Sequence, residues 1–488
     1  MPSFTSKLLG KSHSDKHKLK IGGHSSAPAG TTPTTTDPNT PVDVEDIDEV
    51  DNQGQNILMG IISQLRPGCD LSRITLPTFI LERKSMLERI SNQLQQPDIV
   101  VEAHNTRDDP LQRFVLVVKW YLSCWHIAPK AVKKPLNPIL GEYFTCYWDL
   151  PNGKQAYYVA EQTSHHPPKS SYFYIMPSEN IRVDGIVIPK SRFLGNSTAA
   201  VMDGVTKLSF LDYIDPATGE PEYYTLTQPN IYARGILFGS LKLEMGDHMV
   251  IKCPTTGYEV DIEFKTKGLI SGTYDAIEGT IKETKSGKGL YLITGKWNKQ
   301  MFIKDLATGK ETLFFDCDTA TPLKPKVRDI SEQGEFESRR LWEKVTDALA
   351  ERNHEVATDE KYKIEESQRL VAKKREADGV EFYPKLFRKL SVSESVKHGN
   401  DVLEFVIYKD NILNKDIRKH DPEALKEHIF EIAPILPHQK FNPKFEIPAY
   451  EKVKEEKHHH HHHSLESGSA APETTPSTAA PTATANGE

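Results

Sequence analysis

Between Asn56 and Arg66 the apolar residues Ile57, Leu58, Ile61, Ile62 and Leu65 fall at i, i+1, i+4, i+5 and i+8, which is one face of a helix. Pro67–Gly68 ends that pattern. A second helical pattern runs from Ser85 to Gln95, and a third from Pro110 to Trp125. After Pro138 the period shortens to two. Alternating segments at 155–161, 170–176, 181–188, 207–213, 223–227, 260–266, 277–284, 290–297 and 312–316 are split by Gly, Pro, Asn and Asp. Strands so evenly spaced, with no helix between them, predict an antiparallel sandwich or barrel, and closure into a barrel would remove the exposed edges of so long a sheet. Past Gly334 helices return. Leu341, Trp342, Val345, Ala348 and Leu349 form an apolar stripe, a charged helix follows from about Asp359 to Ala377, and another covers Pro422–Ile432. The expected class is α+β, mainly β.

Composition narrows the foldable part. Residues 1–52 are rich in Ser, Thr, Pro and Gly, with an early lysine cluster (Lys7 to Lys20) and an acidic run (Asp43 to Asp51). Such sequence has too little apolar surface to offset chain entropy, so a disordered arm is expected there. Residues 456–488 hold six consecutive histidines and a Pro/Ala/Thr-rich tail, set aside as a tag-like or low-complexity tract. The remaining 53–455 divides into a lid (53–77), N-terminal helices (78–135), a β-region (136–325) and a C-terminal helical region (326–455). Five cysteines, odd in number and without CxxC spacing, argue against a disulfide framework or structural zinc, and for a reducing compartment. No apolar run approaches the roughly 20 residues that span a bilayer. A net charge of −7 lacks the basic footprint of a nucleic-acid binder.

Three groups of residues carry candidate chemistry. Glu161-Gln162-Thr163-Ser164-His165-His166-Pro167-Pro168 ends a strand, because tandem proline removes two ladder donors. Neighbouring strand residues face opposite ways, so His165 and His166 can serve one ligand only if the chain turns there. Paired imidazoles at a strand end are either a hydrogen-bonded rim pair or donors to a phosphate, which would favour their protonated form. Lys361, Glu365 and Arg369 are spaced by four, which puts them on one helical face with Lys–Glu and Glu–Arg pairs. By itself that pattern is either surface helix support or a site in which Arg and Lys take phosphate and Glu takes hydroxyls. Lys134 is either a solvated lysine or part of the same site. Ile57–Leu65 is either a docked helix or a cover.

The string EQTSHHPP resembles the signature of the oxysterol-binding protein family, as do Lys133-Lys134-Pro135-Leu136-Asn137-Pro138-Ile139-Leu140-Gly141-Glu142 and Glu337-Ser338-Arg339-Arg340-Leu341-Trp342. The resemblance covers about residues 56–450. It implies a near-closed antiparallel β-barrel with a hydrophobic tunnel, an N-terminal amphipathic lid and C-terminal helices. It also implies that Lys134, Asn137, His165, His166, Lys361, Glu365 and Arg369 bind phosphatidylinositol 4-phosphate. The string from Leu65 to Pro77 looks like the phosphatidylserine-carrying branch, in which Leu76, Lys134, Asn137 and Ser191 would contact phosphatidylserine. Lid contacts would come from Ile61, Ile62, Ser63, Gln64, Leu65 and Arg66, with Gly60 allowing a bend.

The expected function is therefore lipid transfer, exchanging phosphatidylserine for phosphatidylinositol 4-phosphate between membranes. A sterol carrier and a lipid sensor without net transport are the alternatives. Neither a GxGxxG, a P-loop, a GxSxG nor an HExxH string occurs, so no enzyme, cofactor or metal site is expected. The partners implied are lipids (phosphatidylserine, phosphatidylinositol 4-phosphate, and sterol as the other cargo) and transiently touched anionic membranes, with no nucleic acid. The expected location is the cytoplasm, at endoplasmic-reticulum and plasma-membrane surfaces or their contact sites.

Overall fold

The computed structural model describes residues 66–69, 80–128, 133–235, 241–267, 272–394, 403–408 and 422–440. A short strand β1 (Leu81–Ser85) leads into three helices, α1 (Met86–Ile90), α2 (Pro97–Asn105) and α3 (Pro110–Leu122), and then β2 (Lys134–Leu136). Thirteen strands follow: β3 (Tyr143–Asp149), β4 (Gln155–His165), β5 (Pro168–Met176), β6 (Ile181–Phe193), β7 (Ser197–Ile214), β8 (Pro221–Leu226), β9 (Asn230–Arg234), β10 (Lys242–Cys253), β11 (Tyr258–Lys265), β12 (Ala276–Glu283), β13 (Gly289–Lys296), β14 (Gln300–Asp305) and β15 (Glu311–Asp316). The chain closes with α4 (Ser338–Leu341), α5 (Glu343–Ala350), α6 (His354–Asp378), the hairpin of β16 (Phe387–Lys389) and β17 (Phe405–Ile407), and α7 (Pro422–Ile432).

β3 to β15 make one antiparallel sheet in nearly sequential order, with β8 and β9 sharing the gap between β7 and β10. Phe144 on β3, Tyr158 on β4, Leu208 on β7, Ile262 on β11 and Met301 on β14 belong to one buried cluster with Phe114, Val117 and Tyr121 of α3. A single cluster that reaches from one end of the sheet to the other requires the sheet to curl around it. The end strands β3 and β15 do not bond each other. Instead the chain leaving β15 crosses to β3: Tyr147 and Lys326 exchange backbone bonds at 3.0 and 2.7 Å, and Tyr143 N–H donates to Phe336 O at 3.1 Å. The otherwise open edge of β3 is thereby filled, which is the near-closed arrangement expected.

The first strands are covered on both faces. Tyr157, Val159, Phe173 and Ile175 lie under Val406, Ile407, Leu425, Ile429 and Ile432 of the C-terminal region. Burial there is continuous, from Ala156 to Thr163 on β4, whereas β11 alternates buried and exposed positions. This explains the absence of β3 from the alternation pattern, since Tyr143–Asp149 has no polar face to show. β10 was hidden differently. Gly246-Asp247 resembles a turn, but the strand runs through it with Asp247 at φ 68° and still opposite Phe264. α2, β9 and β14 were also not anticipated.

The charged helix starts earlier than expected, because Asn353 caps it by accepting Val356 N–H at 3.2 Å, and Gly379 ends it in the left-handed region. The expected lid helix and Leu76 lie outside the described residues. All five cysteines are unpaired. Among the described residues no helix is long and apolar enough to cross a membrane.

Candidate functional site

Three strings far apart in sequence meet at one end of β4. The loop Asn137–Glu142 is held from below by Glu142, whose buried carboxylate accepts from Ile139 N–H (3.1 Å), Ser85 Oγ (2.5 Å), Ser338 Oγ (2.6 Å) and Trp342 Nε1 (2.9 Å). Burial pushes this carboxyl's pKa up, and the four donors oppose that. The loop is stitched to β4 by Gly141 N–H on Gln162 O (3.1 Å) and Gln162 N–H on Glu142 O (2.9 Å). Gly141 sits at φ 86°, and a side chain there would press on Phe382.

The first four residues of EQTSHHPP are structural. Glu161 accepts the backbone N–H groups of Lys385 and Leu386 at 2.7 and 2.8 Å. Gln162 Oε1 accepts Ser170 Oγ at 2.6 Å, Thr163 bonds Ser171 at 2.8 Å, and Ser164 Oγ donates to Pro167 O at 2.7 Å. His165 ends β4, pairs in register with Pro168 of β5, and leaves His166-Pro167 as a two-residue turn. The turn lets both rings occupy one place. Their centroids are 4.3 Å apart, edge to face.

α6 runs past this hairpin tip. Its first turns are docked by Ala357 and Ile364 against Leu136, Ile139 and Trp342. Lys361 pairs with Glu365, as the spacing implied. Arg369 does not complete a Glu365 pair: its guanidinium bonds Glu366 at 2.9 Å. A step of three lets the longer arginine lie along the exposed flank, while Glu365 turns inward to Lys361.

Electrostatics tie these groups together. Lys134 is accessible to solvent, yet burial lowers its pKa, followed by the like charge of Lys361, with Glu365 opposing. His165 is pushed down to about 4, first by burial and then by His166, with Arg369 and Arg375 in the same direction and Glu365 against them. Arg369 and Arg375 thus act on His165, Lys361 acts on Lys134, and Glu365 is the carboxylate common to both sets, with Glu366 holding Arg369. Such a site attracts an anion and still offers a carboxylate acceptor for hydroxyls.

Residues 60–348 match the family model described as oxysterol-binding protein. The chain belongs to the oxysterol-binding protein family. It is 59% identical over 443 residues to oxysterol-binding protein homolog 6 of Saccharomyces cerevisiae (90% of this chain, 94% of the relative). It is 63% identical over 407 residues to homolog 7 of the same yeast (82% and 88%). The fold is also that of the Osh1 ORD domain solved with ergosterol, at TM-score 0.63 and 21% identity, covering 84% of this chain and 97% of that one. The Osh3 ORD solved with PI(4)P from S. cerevisiae matches at TM-score 0.52 and 21% identity, covering 74% and 90%. The family places this oxysterol-binding protein among lipid-binding and lipid-transfer proteins.

Not every expected residue of this family member joins the cluster. Asn137 is exposed on the loop just after Lys134. Ser191 lies on β6, opposite Ala200 and two residues before Phe193, whose N–H donates to Cys69 O at 3.0 Å. It therefore neighbours the segment Arg66–Cys69 rather than α6. Arg66 is exposed, while Ile61, Ile62, Ser63, Gln64, Leu65 and Leu76 fall outside the described residues. Two residues were missed. Gln368 bonds both His165 (2.9 Å to Nε2) and Leu140 N–H (2.7 Å), and Arg375 faces His165. The signal for Gln368 was present: seven residues beyond Lys361 and three beyond Glu365 is the same helical face.

Proposed function

We propose that this protein is a lipid-transfer protein that exchanges phosphatidylserine for phosphatidylinositol 4-phosphate between membranes, without making or breaking a covalent bond. The observation that carries the reading is the convergence of His165, His166, Lys134, Lys361 and Glu365 at one end of a curled apolar sheet. Imidazoles and ammonium groups suit a phosphate, and a carboxylate among them suits the hydroxyls of a sugar alcohol. Asn137 and Arg369 complete the headgroup contacts in this reading, and Lys134, Asn137, Ser191 and Leu76 receive the serine lipid. Residues 53–77 act as the lid, with Ile61 to Arg66 over the lipid.

The apolar part follows from magnitudes. Each methylene costs about 0.8 kcal/mol to expose, so a lipid with on the order of 30 methylenes faces roughly 24 kcal/mol on leaving a bilayer for water. A dry tunnel beneath a lid removes most of that barrier, and headgroup bonds of about 1.5–3 kcal/mol each then select the lipid. The site of action is the cytoplasmic surface of two membranes, such as endoplasmic reticulum and plasma membrane.

The test is transfer between two liposome populations, one carrying phosphatidylserine and the other phosphatidylinositol 4-phosphate. Counter-movement of both lipids supports exchange. Extraction without equilibration would make the protein a sensor, and movement of sterol in place of phosphatidylserine would make it a sterol carrier.

A further inference from the structure

Gln368 is an α6 side chain that touches both other parts of the site. Its carbonyl oxygen accepts Leu140 N–H at 2.7 Å, from the loop that carries Asn137. A backbone N–H can only donate, so the amide cannot be turned the other way round without losing this bond. The amide nitrogen is thereby left facing His165, 2.9 Å from Nε2 and 3.3 Å from Nδ1. An amide nitrogen can only donate, so at least one of the two ring nitrogens it meets must be an unprotonated acceptor. A doubly protonated imidazole would put N–H against N–H.

We propose that Gln368 is a positioning residue that holds His165 neutral and oriented, and that it must release the ring when an anionic phosphate headgroup arrives. The phosphate in this statement rests on the function proposed above; the neutral ring does not. His165 is surrounded by His166 from the turn, by Glu365, Arg369 and Arg375 from α6, and by Lys169 one strand position away, which is engaged by Glu404. Burial, His166 and the two cations Arg369 and Arg375 already disfavour a charged ring, which agrees with the depressed pKa. Gln368 adds the geometric part: its amide N–H meets the ring beside both nitrogens. A phosphate placed among these cations reverses the balance by favouring imidazolium. The contact with Gln368 then becomes repulsive, and Gln368 keeps its hold on the Asn137–Glu142 loop but loses the hairpin tip. Headgroup capture and loosening of α6 are in this way a single event.

Gln368→Glu keeps an oxygen for Leu140 N–H and gives His165 an acceptor in place of a donor. Gln368→Leu removes both bonds and serves as the second variant should the first fold poorly. The readout is the titration of His165 in full-length, lipid-free protein, followed by NMR of ring-labelled histidine and assigned by the signal lost in His165→Gln. The midpoint of His165 should rise by at least about one pH unit in Gln368→Glu, a tenfold change in protonation equilibrium, and by less in Gln368→Leu. A midpoint unmoved in both folded variants would overturn the proposal, because a merely structural glutamine has no hold on the ring's charge. Addition of vesicles containing phosphatidylinositol 4-phosphate to the wild type should move the same midpoint upward. If the variants shift but vesicles do not, the coupling to headgroup capture is refuted together with the function above, while the role of Gln368 in holding the ring stands.

Discussion

The indole N–H of Trp342 donates to the Glu142 carboxylate at 2.9 Å across 200 positions of sequence. Trp342 is 1% exposed and Glu142 fully buried, so no water competes for the bond. It fastens the C-terminal helices to the loop that carries Asn137, and it explains how strings distant in sequence form one site.

Trp342→Phe removes that donor while keeping an aromatic ring. A buried acceptor left short of one partner costs about 1–3 kcal/mol, so the variant should unfold at lower denaturant with an unchanged m-value. A midpoint equal to wild type in urea titration would show that the bond is dispensable.

Replacing both His165 and His166 by alanine should abolish extraction of phosphatidylinositol 4-phosphate, since two donors at about 1.5–3 kcal/mol each are lost, while phosphatidylserine extraction largely survives. Leu76→Asp should harm the serine lipid more. Equal loss of both lipids in the histidine variant would mean that the imidazoles hold the fold and not one ligand. Sedimentation with liposomes of each lipid separates the cases.

Glu161 should make stability pH-dependent. Burial raises its carboxyl to about 7 from the ordinary 4.5, against the opposing backbone N–H groups of Lys385, Leu386 and Phe387. Between these values the unfolded chain has released the proton and the folded chain keeps it. The stability from this group is therefore complete below about pH 4.5 and lost as pH rises through about 7, a change on the order of 3 kcal/mol. The difference in unfolding free energy between wild type and Glu161→Gln should fall across that window. A difference independent of pH would refute the assignment.

Arg113 and Glu222 form a buried pair, with Nε and Nη2 each meeting a carboxylate oxygen at 2.8 and 2.9 Å. Glu222→Ala leaves the guanidinium uncompensated and should cost about 3–5 kcal/mol, whereas joint replacement by Arg113→Met and Glu222→Leu should cost much less. Calorimetric melting of the single and double variants decides, and a double variant as unstable as the single one would contradict this account.

How much of the fold was legible depended on how many faces of each element are buried. β11 and β12, with one face buried, displayed their alternation in full. β3 did not, because α3 covers one side and the C-terminal region the other, so that Tyr143–Trp148 is buried without a break. β10 was concealed by Gly246-Asp247, a turn signal absorbed as a bend inside a continuous strand. In the site, the spacing of Lys361 and Glu365 foretold their pairing, but the same spacing misdirected Arg369, whose reach of three residues to Glu366 depends on which flank of α6 is free.

The sequence alone determined the family, the mainly-β class and the side chains that carry charge, because these are properties of local strings and of period. Tertiary structure alone decided which of those charges meet. Lys134, His165 and Lys361 come together only through the curl of the sheet and the docking of α6. The neutral state of His165 is likewise invisible in a string of letters, because it arises from burial, from cations brought in by a distant helix and from the amide of Gln368.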